Sequence, residues 1–297
     1  MVGSALVRRL HKSGFDNIAT RGRDQLDLLD QRRVYEFLAA EKPDYVFLAA
    51  ARVGGIQANS RYAAQFLFEN LAIQNNVIHG AHLADVQRLM FLGSSCIYPR
   101  LAPQPLKEEY LLTGPLESTN APYAVAKIAG IKLCETYNAQ YGRAYASVMP
   151  TNLYGPDDNY DLENSHVLPA LIRKAHEAKL RSASQLVVWG SGEPQREFLH
   201  VDDLADACVF LMERNYDGPL LNVGSGAEVT IRSLAELIVD IIGFRGSLVF
   251  DRSKPDGTPR KLLDVSRLAA MGWKARIDLR TGIEATYLDF QQAHAAG

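Results

Sequence analysis

Leu89–Ser95 reads LMFLGSS, four apolar residues in an unbroken run followed by a glycine and two serines. An unbroken run of that length is the pattern of a strand covered on both faces, as parallel strands are. Tyr45–Ala51 (YVFLAAA) and Ala146–Met149 (ASVM) share it. Between these runs lie stretches whose apolar residues recur at helical spacing: Gln31–Ala40, Tyr62–His82 and Ala121–Tyr141. Strand, helix and strand in this rhythm predict an α/β fold built on a doubly wound parallel sheet.

The rhythm changes after about Pro156. Asn164–Ala178 reads as a helix, Leu186–Trp189 as a strand, and Arg196–Arg214 as a strand end followed by a helix. That last helix opens on Asp202–Asp203, acidic residues suited to a helix N-terminus. Turn signals at Gly224–Gly226 and Pro255–Gly257 punctuate the remainder. The expected division is a Rossmann-type domain over residues 1–160, rejoined by residues 196–214, and a smaller mixed α/β lobe over 161–297. The two lobes should share a cleft.

Bulk properties exclude several classes. The 297 residues carry a formal net charge of −2, without the basic excess that a nucleic-acid binder needs. No apolar run approaches the ~20 residues of a membrane span. At the start, MVGSALVRRL, the basic residues follow the apolar stretch, the reverse of a secretory signal. Cys96, Cys134 and Cys208 are too few and too scattered for a disulfide framework or a metal site. A cytoplasmic protein with no metal, membrane or nucleic-acid partner is expected.

A dinucleotide-binding sheet opens with a strand, a glycine-rich turn and a helix whose N-terminus faces the pyrophosphate. Here Met1–Val2–Gly3–Ser4 runs straight into a helical pattern, Ala5–Ser13, ended by Gly14. Gly3 fits the third glycine of such a turn. The first strand and the first two glycines are expected to be missing from this chain, at a cost to folding and to cofactor binding. Asn17–Thr20 is short for the next strand, and Arg21–Gly22–Arg23 follows it. NAD binders place an acidic residue here, whereas arginine accommodates a 2′-phosphate. The arginines favour NADPH; a solvated basic turn is the plainer alternative.

Tyr123 and Lys127 stand four apart on the predicted helix Ala121–Tyr141, on one face and about a turn from each other. An ammonium beside a phenol stabilises the phenolate and brings its pKa, ordinarily about 10, toward a working range. Ser94 lies just past the strand Leu89–Leu92, at the sheet edge where open sheets bind ligands. Its hydroxyl can hold a substrate carbonyl against Tyr123. A strand-end serine followed about thirty residues on by Tyr-x-x-x-Lys is a specific pattern for carbonyl reduction.

On those residues the chain resembles the extended short-chain dehydrogenase/reductases that act on nucleotide sugars. The segments AAARVGGIQAN, FLGSSCIYP, PYAVAKIAGIKLCE, SVMPTNLYGP, NSHVLPAL, VVWGSGEPQREFLHVDD and SKPDGTPRKLLD narrow the resemblance to the GDP-L-fucose synthase family. It covers Met1 to about Phe290 and departs from the family only at the opening. It implies conversion of GDP-4-keto-6-deoxy-D-mannose by epimerisation at C3 and C5, then NADPH-dependent reduction at C4. Epimerisation beside a carbonyl needs an acid and a base. Cys96 and His166, whose free side chains have pKa values near 8.5 and 6.5, suit those parts; Cys134 and Cys208, on helical patterns, read as packing.

The remaining roles are implied by the resemblance alone. Gly3 and the run Arg23, Asp24, Gln25, Leu26, Asp27 and Leu28 would line the adenosine end of NADP(H). Leu92, Gly93, Ser94 and Ser95, with Pro150, Thr151, Asn152 and Leu153, would line the nicotinamide end, where Lys127 and His166 also reach the cofactor. Lys174, Trp189, Arg196 and Asp256 would hold the GDP-sugar. The alternative for Trp189 is a core aromatic. A homodimer pairing the helices around Tyr62–His82 and Ala121–Tyr141 is a family-level expectation. Two other readings remain: an NAD-dependent nucleotide-sugar 4-epimerase or 4,6-dehydratase, which Cys96, Arg23 and the loop Val53–Gly55 oppose, and an inactive fragment.

Overall fold

The computed structural model describes residues 1–162, 165–254 and 256–295. Its centre is a four-stranded parallel sheet in the order β1 (Tyr45–Leu48), β2 (Arg88–Leu92), β3 (Ala144–Pro150) and β7 (Leu221–Val223). The register sets Leu89 beside Val46 and Tyr145, and Leu92 beside Val148. Alternate residues feed two cores. Leu89, Phe91, Tyr145 and Met149 pack with Val34 and Leu38 of α2 (Gln31–Glu41), Val77 and Ile78 of α4 (Ala63–Leu83), and Ile131 of α5 (Ala121–Tyr141). Met90, Leu92, Ala146 and Val148 pack on the other face with Ala5 and Leu6 of α1 (Val2–Lys12) and Leu204, Ala205 and Cys208 of α7 (Val201–Glu213). Helices on both faces explain why the strands read as unbroken apolar runs.

The sheet ends at β1. Among the described residues no strand pairs with its outer edge, and Asn17–Thr20, read as a short strand, forms no ladder. Tyr45–Ala51 was expected to be buried on both faces; instead Tyr45 is 50% exposed and the strand stops at Leu48. The reason is a cavity of about 1610 Å³ beside that edge, walled by α1, Asn17–Arg21 and Tyr45–Val53. Gly3 lies on its wall, and a Cβ there would meet no atom within 4 Å. The close packing expected of a third glycine is therefore not seen.

α1 closes against α7 through charge as well as through Ala5 and Leu6. Arg9 Nε lies 2.7 Å from Asp206 Oδ1 and Arg8 Nη2 2.7 Å from Asp202 Oδ1. Asp202 and Asp203 do fall in the first turn of α7, where acidic groups suit the helix dipole.

In the first part of the chain, between β1 and α4, α3 (Ile56–Arg61) had no sequence signal. The second part builds its own core. β4 (Asn152–Tyr154) and β6 (Gln195–His200) run parallel, with β10 (Arg260–Lys261) on the far side of β6 and β8 (Glu228–Thr230) antiparallel to it. β5 (Gln185–Trp189) pairs with β9 (Ser247–Asp251). α6 (Val167–Leu180), α8 (Ile231–Ile242) and α10 (Leu279–Ala295) pack there around Ile172, Leu234, Ile238 and Ile283. α9 (Ser266–Ala270) sits against β7, its Leu268 in the α7 core. The helix read as Asn164–Ala178 begins at Val167; Asn164, like Pro255 of the Pro255–Gly257 turn, lies outside the described residues.

Gly130 shows how closely α5 meets the sheet. A Cβ there would fall 2.4 Å from the Phe91 ring and 2.9 Å from Gln74 Oε1, on a side chain whose amide bonds Ala126 O. Overpacking of this kind costs about 1–3 kcal/mol. Gly130→Ala should lower the thermal midpoint by several degrees, whereas Gly3→Ala should leave it within a degree or two; differential scanning fluorimetry of both variants checks this.

Candidate active site

The C-terminal ends of β2 and β3 lie side by side, and Gly93 N donates to Val148 O at 2.8 Å. That contact brings Leu92–Ser95 and Pro150–Leu153 together at one edge of the sheet, as their predicted common site requires. The chain then turns tightly through Ser95–Ile97, with Ser94 Oγ accepting from Cys96 N at 3.5 Å. α5 presents Tyr123 in its first turn to the same place. Ser94 lies close enough to the Tyr123 phenol to influence its proton affinity, and Phe66 of α4 stands edge-on to its ring at 6.2 Å. Burial holds the phenol well above its ordinary proton affinity, and negative charge on Cys96 would add to that; the Ser94 hydroxyl opposes both.

Lys127 departs from the expectation. Its Nζ donates to Leu92 O at 2.8 Å and lies 5.8 Å from the centre of the Tyr123 ring. The phenol owes its downward pull to Ser94, not to this ammonium. Burial pushes Lys127 down to about 8, and negative charge on neighbouring Cys96 would pull the other way. Cys96 is nearly buried at 8% exposure. Cys134 and Cys208 are fully enclosed and pushed up to about 12 by burial, so they pack and do not react.

His166 immediately precedes α6. Enclosure by the surrounding walls lowers its proton affinity, and the charge of Lys261 adds to that. The residue is nonetheless exposed, so screening keeps the energetic consequence small. Lys261, missed by the sequence reading, also carries an electrostatic interaction with Cys96. One lysine thus relates the two residues proposed for proton transfer at carbon.

The expected GDP-sugar residues form a second group. Trp189 is 46% exposed at the end of β5, which rules out a core aromatic. Lys174 Nζ lies 4.7 Å and Lys254 Nζ 5.4 Å from its ring. Each cation–π contact of this type contributes about 0.5–2 kcal/mol. Lys254 had no signal of its own, since its place depends on the return of β9. Asp256 is committed within the protein: Oδ1 accepts from Ser191 N at 2.7 Å and Oδ2 from Ser191 Oγ at 2.8 Å. Its backbone oxygen accepts from Arg196 Nη2 at 3.5 Å. It shapes the turn at Gly190–Gly192, where a Cβ on Gly190 would strike its carboxylate at 2.4 Å.

At the far end, Arg23, Leu26, Asp27 and Leu28 line the large cavity. Asp24 and Gln25 are not on its wall; Gln25 Oε1 accepts from Gly22 N at 3.0 Å and holds the turn. Arg21 also lines the cavity but is tied to Glu41 at 2.5 Å and stacked over Phe37, so of the two arginines in this turn Arg23 is the one with no ion pair among the described residues. The α1 N-terminus, with Gly3 and Ser4, opens into the same space. Helix N–H groups and an arginine on one apolar-walled cavity fit a phosphate-bearing dinucleotide.

Residues 1–224 match the model of the NAD dependent epimerase/dehydratase family. The chain belongs to this family. Within it the chain groups with the GDP-L-fucose synthases: it is 57% identical over 296 residues to GDP-L-fucose synthase of Escherichia coli K12, covering 97% of this chain and 92% of that one. Among solved structures it is similar to a GDP-mannoheptose C4 reductase from Campylobacter jejuni with NADP bound (40% identity, TM-score 0.89, 98% and 95% coverage). A GDP-L-fucose synthetase from Naegleria fowleri bound to NADP is also similar (28% identity, TM-score 0.90, 100% and 91% coverage). A nucleotide cofactor of the Rossmann type goes with this family and sheet. Among the described residues no cluster of three metal-ligating side chains occurs, and no helix is long and apolar enough to cross a membrane.

The buried lysine gives a test of the site's electrostatics. Lys127 favours its neutral form in the folded state, so it penalises folding fully below about pH 8, and the penalty is gone above its unfolded value of 10.5. Stability should therefore gain roughly 3 kcal/mol from this group as pH rises through that window, at ~1.4 kcal/mol per unit. Urea unfolding at pH 7.5 and 10.5 should show a smaller gain in Lys127→Met than in the wild type; identical gains would place the depressed titration elsewhere.

Proposed function

We propose that the protein converts GDP-4-keto-6-deoxy-D-mannose to GDP-L-fucose, with epimerisation at C3 and C5 followed by NADPH-dependent reduction at C4. The observation that carries this reading is the company Cys96 keeps. It is a thiol two residues after Ser94, within electrostatic reach of Tyr123, Lys127 and Lys261. Reduction alone has no use for a second titratable group there; inversion at carbons next to a carbonyl needs one.

The C4 carbonyl oxygen lies against Ser94 Oγ and Tyr123 Oη. Hydrogen bonds to that oxygen stabilise the enolate formed when a C3 or C5 proton leaves. Cys96 and His166 act as the acid and base for those transfers, one removing a proton and the other returning one on the opposite face. Lys174, Trp189 and Arg196 hold the GDP portion, the two cations against the diphosphate and the indole against the base. Arg23 and the α1 N-terminus at one end, with Leu92–Ser95 and Pro150–Leu153 at the other, would hold NADPH, which would supply the hydride for C4. Tyr123 then gives its proton to the C4 oxygen, and the Ser94 hydroxyl eases that loss. The same reading divides the chain near residue 160 into a cofactor domain and a substrate lobe. It also makes the enzyme a cytoplasmic homodimer through α4 and α5, whose Phe68 and Val125 are exposed.

Two outcomes test the chemistry and the cofactor. Cys96→Ser should lose at least tenfold in deuterium exchange from solvent at C3 and C5, while Tyr123→Phe keeps exchange and loses reduction at C4; normal exchange in Cys96→Ser at both positions would remove the thiol from the mechanism. Arg23→Ala should weaken NADPH binding by at least tenfold more than NADH binding, because an arginine–phosphate contact is charge-assisted. Fluorescence titration with both cofactors measures this, and equal losses would show that Arg23 does not read the 2′-phosphate.

A further inference from the structure

Two residues beyond Cys96 the chain ties down a buried phenol. Tyr98 is 3% exposed, and its Oη donates to Asn222 Oδ1 at 2.6 Å. Burial pushes the Tyr98 phenol up and the charge of Glu108 adds to that, so Oη keeps its proton and stays a donor. Asn222, on β7, is wholly enclosed. Its Nδ2 donates to Leu106 O at 2.8 Å and Asp264 O at 3.1 Å, and its backbone N to Glu108 Oε1 at 3.0 Å. Carbonyls only accept, so those two fix the amide with Nδ2 toward them and Oδ1 toward Tyr98. The partners are pinned in turn: Leu106 N donates to Leu262 O at 2.7 Å, and Asp264 N to Leu106 O at 2.8 Å. Next to Asn222, Val223 O accepts from Thr151 N at 3.1 Å.

The turn that carries Cys96 is thus held at both ends. Ahead of it Gly93 N is fixed to Val148 O, within it Ile97 N donates to Ser94 O at 3.2 Å, and beyond it Tyr98 is fixed to Asn222. We infer that Tyr98 and Asn222 are positioning residues for Cys96: their hydrogen bond sets where the thiol stands relative to the substrate carbons. Through Asn222 that place is coupled to the stretch after β10 and to the proposed nicotinamide wall at Thr151. This role rests on the epimerase reading and deepens it. Ser94 lies ahead of the turn and Tyr123 on α5, so the groups proposed for C4 have supports of their own. Loss of the Tyr98 bond therefore tells on epimerisation first. The competing role is stability alone, a satisfied polar cluster that holds β7 to residues 98–108 without bearing on the thiol.

Alkylation and exchange together separate the two. Iodoacetamide at one fixed pH, followed by peptide mapping, reads each cysteine of the free enzyme; Cys134 and Cys208, fully enclosed, report general opening. Tyr98→Phe removes one oxygen and leaves the ring in the core. It should raise the Cys96 rate about fivefold, the change expected of one lost hydrogen bond, and leave Cys134 and Cys208 unchanged. For solvent deuterium exchange at C3 and C5, kcat should fall about tenfold with KM within about twofold, because a displaced group loses its line to the carbon. Asn222→Ser, which withdraws the acceptor, should act alike, and the double variant should add nothing to either single one. It carries the test by itself where Tyr98→Phe does not fold. Glu108→Gln keeps an acceptor for Asn222 N and should leave Cys96 alkylation as in the wild type. An equal rise at all three cysteines, an unchanged Cys96 rate, or wild-type exchange in Tyr98→Phe would each overturn the inference in favour of stability alone. Since alkylation needs no substrate, absence of exchange in the wild type would sink the epimerase reading without touching the result on the turn.

Discussion

One buried carboxylate organises the substrate side of this protein. Glu197 is wholly enclosed, and burial raises its proton affinity. Its oxygens accept from Gly226 N at 2.7 Å and Leu263 N at 2.9 Å, and its backbone carbonyl accepts from Thr151 Oγ1 at 3.2 Å. The same carbonyl accepts from Asn152 Nδ2 at 2.7 Å. Four segments distant in sequence therefore meet at one residue: the loop after β3, β6, the turn after β7 and the stretch after β10. A buried charge survives only when it is fully hydrogen-bonded, so each of these segments must keep its place for the carboxylate to be tolerated. Gly224 shows how little room is left, since a Cβ there would lie 2.2 Å from Oε1.

That constraint has a consequence for chemistry. Arg196 precedes Glu197, Lys261 lies two residues before Leu263, and Thr151–Leu153 form the proposed nicotinamide wall. The Glu197 cluster fixes the cations and that wall relative to one another across lobes that need not otherwise hold register. Asp256 plays a smaller version of the same part, giving both oxygens to Ser191 and its backbone oxygen to Arg196. Removing the Glu197 carboxylate would leave enclosed N–H groups unpaired at about 1–3 kcal/mol each.

What was legible in the sequence follows from this division. The helices Ala121–Tyr141 and Gln31–Ala40 and the strands of the parallel sheet come from local periodicity, and the structure agrees within a few residues except at Tyr45–Ala51. That run is apolar because a covered strand is what its composition suits, yet in this chain its outer edge meets the cavity and the ladder stops at Leu48. Ser94, Tyr123 and Lys127 were readable because a strand end and one helical turn fix their spacing. The direction of the Lys127 ammonium was not, since the carbonyl of Leu92 competes for it. Lys261, Lys254 and Glu197 were invisible for a different reason. Their roles arise from pairings across 60 residues or more, between β10 and β6 or between β9 and β5, that no local pattern encodes.

On the proposed reading, one pair of donors serves both chemistries. An enolate at C3–C4 or C4–C5 and the alkoxide formed by hydride transfer place negative charge on the same C4 oxygen. Ser94 Oγ and Tyr123 Oη would stabilise all three species without moving. The demands on Tyr123 differ between steps, however. During epimerisation it must keep its proton; burial holds it there, and negative charge on Cys96 would add to that. The reduction must then draw that proton out. Once Cys96 has taken a proton from carbon, its negative charge is gone and the phenol loses one of the influences that kept it protonated. The thiol thus couples the two halves of the reaction electrostatically: the proton that Cys96 accepts at carbon makes the Tyr123 proton easier to release.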